Sequence, residues 1–302
     1  MIALSVRTEA TLSPESSDAA DRVATALTGA GRVGVAFSGG VDSSLLLALA
    51  ARALGPDQVL AILGVSPSLA AAERTGAHDV AAFIGVPVVE VVTHEGDRAA
   101  YRANGPDRCF HCKDELFTRI SDEVAAAYGL TTVAYGENAD DARRPDRPGS
   151  RAAMDHRVIR PLAEAGIDKA AVRRIARELE LPCADKPAAP CLASRIPHFE
   201  LVTPAKLDQV ERLEAALRAL GFADSRARHH GDVARIELLE ADLPRAVSSD
   251  VRTGIVTAAR AAGFRFVTVD LAGIQSGAFT LPLVGVAHGD ARAPGTAGRG
   301  VV

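Results

Sequence analysis

The residues of this sequence with the most distinctive chemistry are its cysteines. Cys109 and Cys112 form a CxxC pair in "RCFHCKDELF", just before a segment with helical character, and Cys191 lies far downstream in "PAAPCLASRIP". A thiolate is stabilised at the start of a helix, and thiolates bind soft metals such as zinc and iron. Spacing alone leaves three interpretations open: a redox dithiol, which would leave Cys191 unexplained, a zinc site made from all four cysteines, and an iron–sulfur cluster held by three. In the third, Cys183 acts only as a small buried hydrophobe.

A second group of candidate residues lies in "FSGGVDSS", residues 37–44, which we call the anion loop. It follows a short apolar run and precedes a helical segment, so it occupies a strand-to-helix turn. Glycines let backbone amides approach a ligand, serine hydroxyls add donors, and a helix N-terminus favours negative charge. A serine-rich helix cap is the alternative, and the lysine of a Walker A loop is absent. The residues expected to bind the anion are Ser38, Gly39, Gly40, Asp42, Ser43 and Ser44.

The elements that would position these residues alternate between apolar runs and helical segments. Such alternation predicts a parallel sheet covered by helices on both faces, with ligands at the carboxyl ends of the strands. The predicted strands are residues 33–37, 58–65, 86–92 and 131–136. A smaller α+β unit follows, with helices at 204–221 and 242–262, two short strands within 225–239 and a third at 264–271. We therefore predict an α/β domain over residues 1–186, a second domain over 187–285 and a mobile tail over 286–302.

Composition narrows the functional classes. The chain has 302 residues, 48% of them hydrophobic and 24% charged, with a formal net charge of -4. These values are typical of a soluble globular protein, and the absence of a long basic run argues against nucleic-acid binding. Without a signal sequence or an uninterrupted apolar span, the expected location is the cytoplasm, with no membrane partner. Reducing cytosol favours chemistry or metal binding over disulfides for the cysteines.

The motif "SGGVDS" is similar to the PP-loop of ATP pyrophosphatases. This resemblance implies that the protein cleaves ATP to AMP and pyrophosphate. It further implies the PP-loop (adenine nucleotide alpha hydrolase-like) fold, and Asp42 as the acidic residue that helps place Mg²⁺. The motif does not choose among amidating synthetases, tRNA thiolases and other sulfur transferases. The stretches that narrow the choice are "GENADD", "RPLAEAGIDKAAVRRIARELELP", "DKPAAPCLASRIP" and "ARIELLE". Together they resemble the LarE family of ATP-dependent sulfur transferases.

This resemblance implies a substrate and a role for each cysteine. Family members adenylate a carboxylate of pyridinium-3,5-biscarboxylic acid mononucleotide and replace oxygen by sulfur during synthesis of the nickel-pincer cofactor. Cys191 resembles the cysteine that, in single-cysteine members, gives up its own sulfur and becomes dehydroalanine. Cys109 and Cys112 resemble the additional pair of members that hold a 4Fe-4S cluster, and we favour this cluster route over a sacrificial Cys191. The expected partners are a small-molecule nucleotide and further copies of the chain in a homo-oligomer.

Several charged residues are candidates for binding that nucleotide. Arg195 lies close to Cys191 in sequence, with Ser194 beside it, and the resemblance places substrate-phosphate contacts near Arg226 and Arg228. These two arginines alternate along a strand and so point to one face, where they would bind a phosphate, although surface charge is the alternative for each. The residues without an assigned role in catalysis are Glu211 and Glu214 (a solvated helix face, or a metal or subunit contact), Glu137, Asn138, Asp140 and Asp141 (turns and caps at the sheet edge), and His229 and His230 (surface or strand).

One stretch departs from the family pattern, and two rival functions stay open. Ile274 and Gln275 stand where family members usually have an aromatic residue and an arginine.

The first rival function is that of a PP-loop tRNA thiolase. The acidic net charge argues against it, because such an enzyme needs a basic RNA-binding surface. The second is a nonenzymatic nucleotide-binding module in which zinc joins two domains.

Overall fold

The computed structural model describes residues 10–144 and 148–274. Its larger sheet contains four parallel strands, β1 (Val33–Phe37), β2 (Val59–Val65), β3 (Val88–Val92) and β4 (Thr132–Tyr135), in the order β3-β2-β1-β4. The predicted α/β class and its parallel sheet are confirmed. Because β1 lies between β2 and β4, the strand order reverses beside it, and ligands of such sheets bind at that point.

Helices cover both faces of this sheet. Alternate residues of β2 explain why: Val59, Ala61 and Leu63 belong to the core beneath α2 and α3, whereas Leu60 and Ile62 pack with Phe117 of α5 on the other face. A strand buried on both faces reads as one continuous apolar run. The helices of this part are α1 (Pro14–Ala26), α2 (Val41–Leu54), α3 (Ala71–Ile84), α4 (Ala99–Arg102), α5 (Arg108–Arg119), α6 (Ala139–Ala142), α7 (Pro148–Asp155), α8 (Pro161–Glu164) and α9 (Lys169–Glu178).

A smaller unit follows, with its own core. It contains α10 (Pro204–Ala219), β5 (Ser225–His230), β6 (Val233–Leu238), α11 (Leu243–Ala246), α12 (Ser249–Ala261) and β7 (Phe266–Val269). β5 and β6 pair antiparallel, and β7 joins β6 in parallel. Leu213, Phe222, Ile236 and Phe264 are among the buried residues between this sheet and its helices. The predicted α+β unit is thus confirmed, the boundary at residue 186 stays a prediction, and the tail 286–302 lies outside the described residues.

Contacts at α3 and the turn before it are among those that join the smaller unit, and the chain leading to it, to the larger sheet. Glu211 of α10 accepts a 2.6 Å hydrogen bond from the amide of Ala71, at the start of α3, which its own N-cap residue Ala70 cannot cap. Lys186 forms a 2.7 Å ion pair with Glu73, also on α3, and the amide of Leu192 donates to the carbonyl of Ser68 at 2.9 Å. α3 therefore contacts both halves of the molecule. Within the two described ranges, no helix has the length and apolar character needed to cross a membrane.

The start of α2 packs directly against the end of β4. A Cβ atom on Gly136 would lie 2.7 Å from the amide nitrogen of Ser43 and 2.8 Å from the carbonyl carbon of Asp42. We expect Gly136→Ala to lower the free energy of unfolding by about 1–3 kcal/mol, because the backbone of α2 must move to admit the methyl group. Urea denaturation measures this, with Gly96→Ala as the matched control since its Cβ would meet nothing within 4 Å. Equal stability of the two variants would contradict the packing argument.

A buried histidine makes the stability of the smaller unit depend on pH. His229 is 3% exposed, its Nε2 lies 3.1 Å from Oε1 of Gln209, and burial, with a smaller effect of Lys206, lowers its pKa below the ordinary 6.5. As pH falls through about 6.5, the unfolded chain takes up a proton that the folded state refuses, so the free energy of unfolding should decrease.

His229→Gln should flatten this dependence below pH 6.5, whereas His94→Gln, at an exposed position, should leave it unchanged. His230 contributes in the same direction, because burial lowers its pKa too, so part of the slope should persist in the His229 variant. Urea titrations from pH 5 to 8 supply the measurement, and a wild-type stability that rises on acidification would contradict the argument.

Candidate active site

The anion loop connects β1 to α2 and is braced by its own serine. Oγ of Ser43 accepts a 3.2 Å hydrogen bond from the amide of Ser38 and donates to the carbonyl of Gly40 at 3.1 Å. Gly40 is the N-cap of α2, and no side chain caps this helix. Amides of an uncapped helix start are a binding site for an anion.

The two glycines of the loop have different reasons to be glycine. Gly39 has a φ of +70°, and its Cβ would lie 2.8 Å from Cα of Ala77 on α3. Close packing against α3 therefore requires this glycine independently of any ligand, a reason that the sequence analysis did not provide. Gly40 has an extended conformation, and its Cβ would meet only Oγ of Ser38, at 3.4 Å.

Ser44 differs from the rest of the loop. It is fully buried beside Cys183 and does not line the cleft. Its expected contact with the anion stays a prediction, and burial among core residues is a sufficient structural role for this side chain. Burial is the main cause of the raised pKa of Cys183, which stays a thiol in the core.

Asp42 is surrounded by groups that neutralise or orient it. Lys169, the first residue of α9, forms an ion pair with Oδ2, and Nδ2 of the buried Asn138 donates to Oδ1 at 2.9 Å. Asp140 accepts from the amide of Lys169 at 3.0 Å and so fixes the start of α9. Sequence reasoning missed Lys169, since a lysine at the start of an amphipathic helix has no distinctive local pattern. Glu137, in contrast, is buried against Arg160 at 3.1 Å.

One cleft of about 760 Å³ extends from the anion loop to the smaller unit. Ser38, Gly40 and Asp42 of the loop line it, and so does Arg226 of the smaller unit. Cys191, on the proline-rich connection of residues 185–191, lines it too. A volume of this order accommodates small-molecule ligands. Ile274 also lines the cleft, while Gln275 lies outside the described residues.

The arginines predicted to bind substrate fall into two groups. Arg195 and Arg228 are buried in ion pairs, with Nε of Arg195 2.8 Å from Glu214 and Nη2 of Arg228 2.8 Å from Glu237. Arg228 also donates to the carbonyl of Ser194 at 2.9 Å and does not line the cleft. The structure thus corrects the expectation for Arg228: it supports residues 191–195, which we call the cysteine turn, from behind.

Arg226 lines the cleft, and two further positively charged arginines lie near it. Its guanidinium donates to the carbonyl of Ala188 at 3.3 Å. Burial is the main cause that lowers its pKa, followed by repulsion from Arg195 and Arg228. An anion in the cleft would relieve that repulsion, so the arrangement favours a phosphate or carboxylate beside Arg226.

Two glutamates of α10 have roles that the sequence did not predict. Glu214 is 3% exposed, receives Arg195 and accepts a 2.9 Å hydrogen bond from the amide of Ala227. Glu211 caps α3, as described above. Their interpretation as a solvated helix face is therefore wrong for Glu214, whose carboxylate fixes the position of the cysteine turn.

The CxxC pair lies inside a helix rather than before one. α5 begins at Arg108, so Cys109 and Cys112 belong to its first turns and do not precede it. Cys191 immediately precedes the short helical turn Leu192–Arg195. All three are free thiols. Cys191 and Cys109 raise the pKa of Cys112, and Cys109 also raises the pKa of Cys191, so these sulfurs lie within electrostatic range of one another.

The environment of Cys112 and Cys191 favours their protonated form. The pKa of Cys191 is raised mainly by desolvation from the surrounding cleft, although its side chain is exposed, and Arg108 opposes this effect. Burial, followed by the carboxylate of Glu95, raises the pKa of Cys112 well above its ordinary value. A bound metal would displace these protons, because the thiolate is the ligand form.

The three thiols are donors of the chemical type that iron–sulfur clusters use. Across the described parts of the chain, no three His, Cys, Asp or Glu side chains are grouped closely enough to hold a metal ion. The thiolates of an iron–sulfur cluster bind separate irons and need not converge on one point. Three soft sulfur donors from α5 and the cysteine turn are therefore compatible with a cluster in chemical type.

Comparison with known proteins identifies the family. The asparagine synthase family model matches residues 19–122. The chain is 35% identical over 246 residues to pyridinium-3,5-bisthiocarboxylic acid mononucleotide synthase of Lactiplantibacillus plantarum, covering 82% of this chain and 88% of that protein. It is 43% identical over 244 residues to the uncharacterized protein slr1717 of Synechocystis, covering 80% and 90%.

A third relative is named for a different activity. The tRNA-specific 2-thiouridylase MnmA of Azorhizobium caulinodans is 33% identical over 193 residues, which is 52% of this chain and 49% of that protein. The likeness to the Lactiplantibacillus synthase, in contrast, extends over most of both chains. On this evidence the chain belongs to the LarE family of PP-loop, ATP-dependent sulfur transferases.

Proposed function

We propose that this protein uses ATP to adenylate a carboxylate of pyridinium-3,5-biscarboxylic acid mononucleotide and then replaces oxygen by sulfur, in synthesis of the nickel-pincer cofactor. One observation carries the proposal: a single cleft is lined by a helix start without a side-chain cap, by a cysteine and by a cationic group. The name of the Lactiplantibacillus relative supports the choice of acceptor. We also expect a cytoplasmic homo-oligomer, as the sequence predicts.

In the first step, the anion loop and the start of α2 bind the phosphates of ATP. Backbone amides there supply hydrogen bonds without a competing side-chain cap, and Asp42 would hold Mg²⁺, which supplies charge neutralisation when bound. A carboxylate oxygen of the acceptor attacks the α-phosphorus, a new O–P bond forms, and the bond to pyrophosphate breaks. Lys169, which neutralises Asp42 here, is positioned to contact the departing phosphates.

In the second step, sulfur attacks the activated carbonyl carbon, a C–S bond forms, and AMP leaves with the original oxygen. Arg226 binds the phosphate of the acceptor at the far end of the cleft, while Glu214 holds Arg195 and thereby the cysteine turn. Ser194 contributes its hydroxyl to Arg195 at 2.9 Å and its carbonyl to Arg228. The acceptor would thus span the distance between Arg226 and Cys191.

The sulfur source that we favour is a 4Fe-4S cluster on Cys109, Cys112 and Cys191. Such a cluster, when bound, supplies a replaceable sulfur atom, whereas a cysteine sulfur is given up once. The convergence of α5 and the cysteine turn supports this route, because a sacrificial Cys191 alone needs no further thiol nearby. tRNA thiolation is the second candidate function, because the chain is similar to a tRNA thiouridylase. It ranks second because that similarity covers only half of each chain.

Replacing Cys191 should separate the two steps. Cys191→Ala should retain ATP-dependent pyrophosphate release with the acceptor, because the anion loop is untouched, but should lose sulfur transfer. Cys183→Ala is the matched control, since its thiol is buried beside Ser44 and should affect neither step. Anaerobically reconstituted wild type should contain about four irons per chain, and Cys191→Ala fewer.

Two results would contradict the cluster route while leaving the adenylation step intact. The first is zinc without iron in protein prepared anaerobically. The second is a wild-type mass that falls by one hydrogen sulfide after a single turnover, which would assign the sulfur to Cys191 itself. Absence of pyrophosphate release from wild type with ATP and acceptor would contradict the proposed reaction altogether.

Arg226→Met should weaken binding of pyridinium-3,5-biscarboxylic acid mononucleotide and leave ATP affinity unchanged, since the two ligands occupy opposite ends of the cleft. Losing one charge-assisted contact costs roughly 1.5–3 kcal/mol, which is about tenfold or more in Kd. Titration calorimetry of both ligands measures it, with Arg265→Met, on the Phe266 ring away from the cleft, as control. Unchanged acceptor affinity in a folded Arg226 variant would assign the phosphate to another cation.

A further inference from the structure

A buried arginine with no part in the proposed chemistry lies between the cysteines. Arg108, the first residue of α5, is 7% exposed, and its Nη1 donates to the carbonyl of Ala193 in the cysteine turn at 3.0 Å. The same nitrogen donates to Oδ1 of Asn104 at 2.5 Å. The guanidinium therefore links the start of α5, next to Cys109, to the cysteine turn that begins at Cys191.

Asn104 extends this contact along the chain. It is fully buried, and its side-chain amide donates to the carbonyls of Pro197 at 2.7 Å and Ile196 at 3.2 Å. Its φ of 55° lies in the left-handed region, which a non-glycine residue adopts only with support from its surroundings. Asn104 and Arg108, which we call the clip, thus bind three carbonyl groups downstream of Cys191, those of Ala193, Ile196 and Pro197.

Apolar packing also joins these segments, but it does not determine their register. Tyr101, Leu192 and Ala193 form a buried cluster, against which Cys112 packs. Apolar contacts of this kind are non-directional and tolerate sliding, whereas a guanidinium donates hydrogen bonds in a rigid, planar geometry. The clip supplies the directional part of the contact.

We propose that the clip, Asn104 and Arg108, sets the spacing between the CxxC pair on α5 and Cys191, and that Arg108 is a positioning residue for the three sulfurs. The consequence for sulfur transfer rests on the proposed function, whereas the spacing itself does not. Cys109 adjoins Arg108 in the chain, and Cys191 lies two residues before Ala193. The hydrogen bond from Arg108 to Ala193 therefore fixes the position of Cys191 relative to the CxxC pair.

The experiment measures this spacing directly in the full-length, metal-free chain. A short reagent that alkylates two thiols should link Cys191 to Cys109 or Cys112 in wild type, as peptide mass spectrometry would reveal. Arg108→Lys and Arg108→Met should reduce the yield of this link about tenfold, because one charge-assisted hydrogen bond to the turn is lost or misdirected. Arg102→Lys is the matched control, since this side chain binds the carbonyls of Gly96 and Asp97 instead.

A variant that keeps the backbone intact separates positioning from folding. Asn104→Gly accepts the left-handed conformation without strain and removes only the hydrogen bonds of the side-chain amide. The cross-linking yield of its folded fraction should fall, whatever melting temperature the unpaired buried groups leave it. A merely structural role would lower the melting temperature of the Arg108 variants without changing the ratio of linked to unlinked thiols in the folded protein.

The clip proposal is overturned if wild type forms no link between Cys191 and α5, or if folded Arg108→Lys or Asn104→Gly forms it at the wild-type yield. Iron content and ATP binding of wild type are measured in parallel. A chain that cross-links as expected but binds no iron keeps the clip and refutes the cluster, and one that binds no ATP refutes the proposed reaction while the clip stands.

Discussion

The buried carboxylate of Glu214 is the contact on which the cleft depends. It binds Nε and Nη2 of Arg195 at 2.8 and 3.2 Å and accepts the amide of Ala227 at 2.9 Å, so it joins the cysteine turn to α10 and to β5. Burying such a pair gains little stability, because desolvation opposes the attraction, but loss of one partner leaves a buried charge and costs roughly 3–5 kcal/mol. The pair therefore contributes placement of the turn more than stability of the fold.

α3 connects the two ends of the cleft mechanically. Ala77 of α3 packs so closely on Gly39 of the anion loop that no side chain fits at position 39. At its other end, Glu73 and the amide of Ala71 bind Lys186 and Glu211, which belong to the connection and to α10. A displacement of the smaller unit would therefore be transmitted to the anion loop through α3. The proline-rich connection would move together with the smaller unit and α3.

Several arginines lie close together beside the cysteine turn. Arg195 and Arg228 are each paired with a buried glutamate, and Arg226 lies near both of them. Arg195 and Arg226 both line the cleft. Guanidinium groups at the wall of a cleft attract an anionic ligand, which is consistent with a nucleotide acceptor.

The sequence by itself determined the parts that depend on local spacing. Continuous apolar runs separated by helical segments predicted all four parallel strands, and two glycines and three serines at the first strand-to-helix turn predicted the anion loop. Alternation along β5 correctly placed Arg226 and Arg228 on one face. The predicted start of α5 was late because residues 108–112 are polar and cysteine-rich, and their helical propensity is weak without the packing of α7.

Only the tertiary structure decided which partner each charged group has. Arg226 and Arg228 have the same residue type and face, yet Glu237 on the neighbouring strand pairs with one and the cleft receives the other. Lys169 meets Asp42, and Arg108 meets Ala193, across long stretches of intervening chain. Periodicity specifies the face of an element but not what packs against that face, because long-range neighbours are set by how helices and strands assemble. The roles of Lys169, Arg108, Glu214 and Gly136 were therefore visible only once the chain was folded.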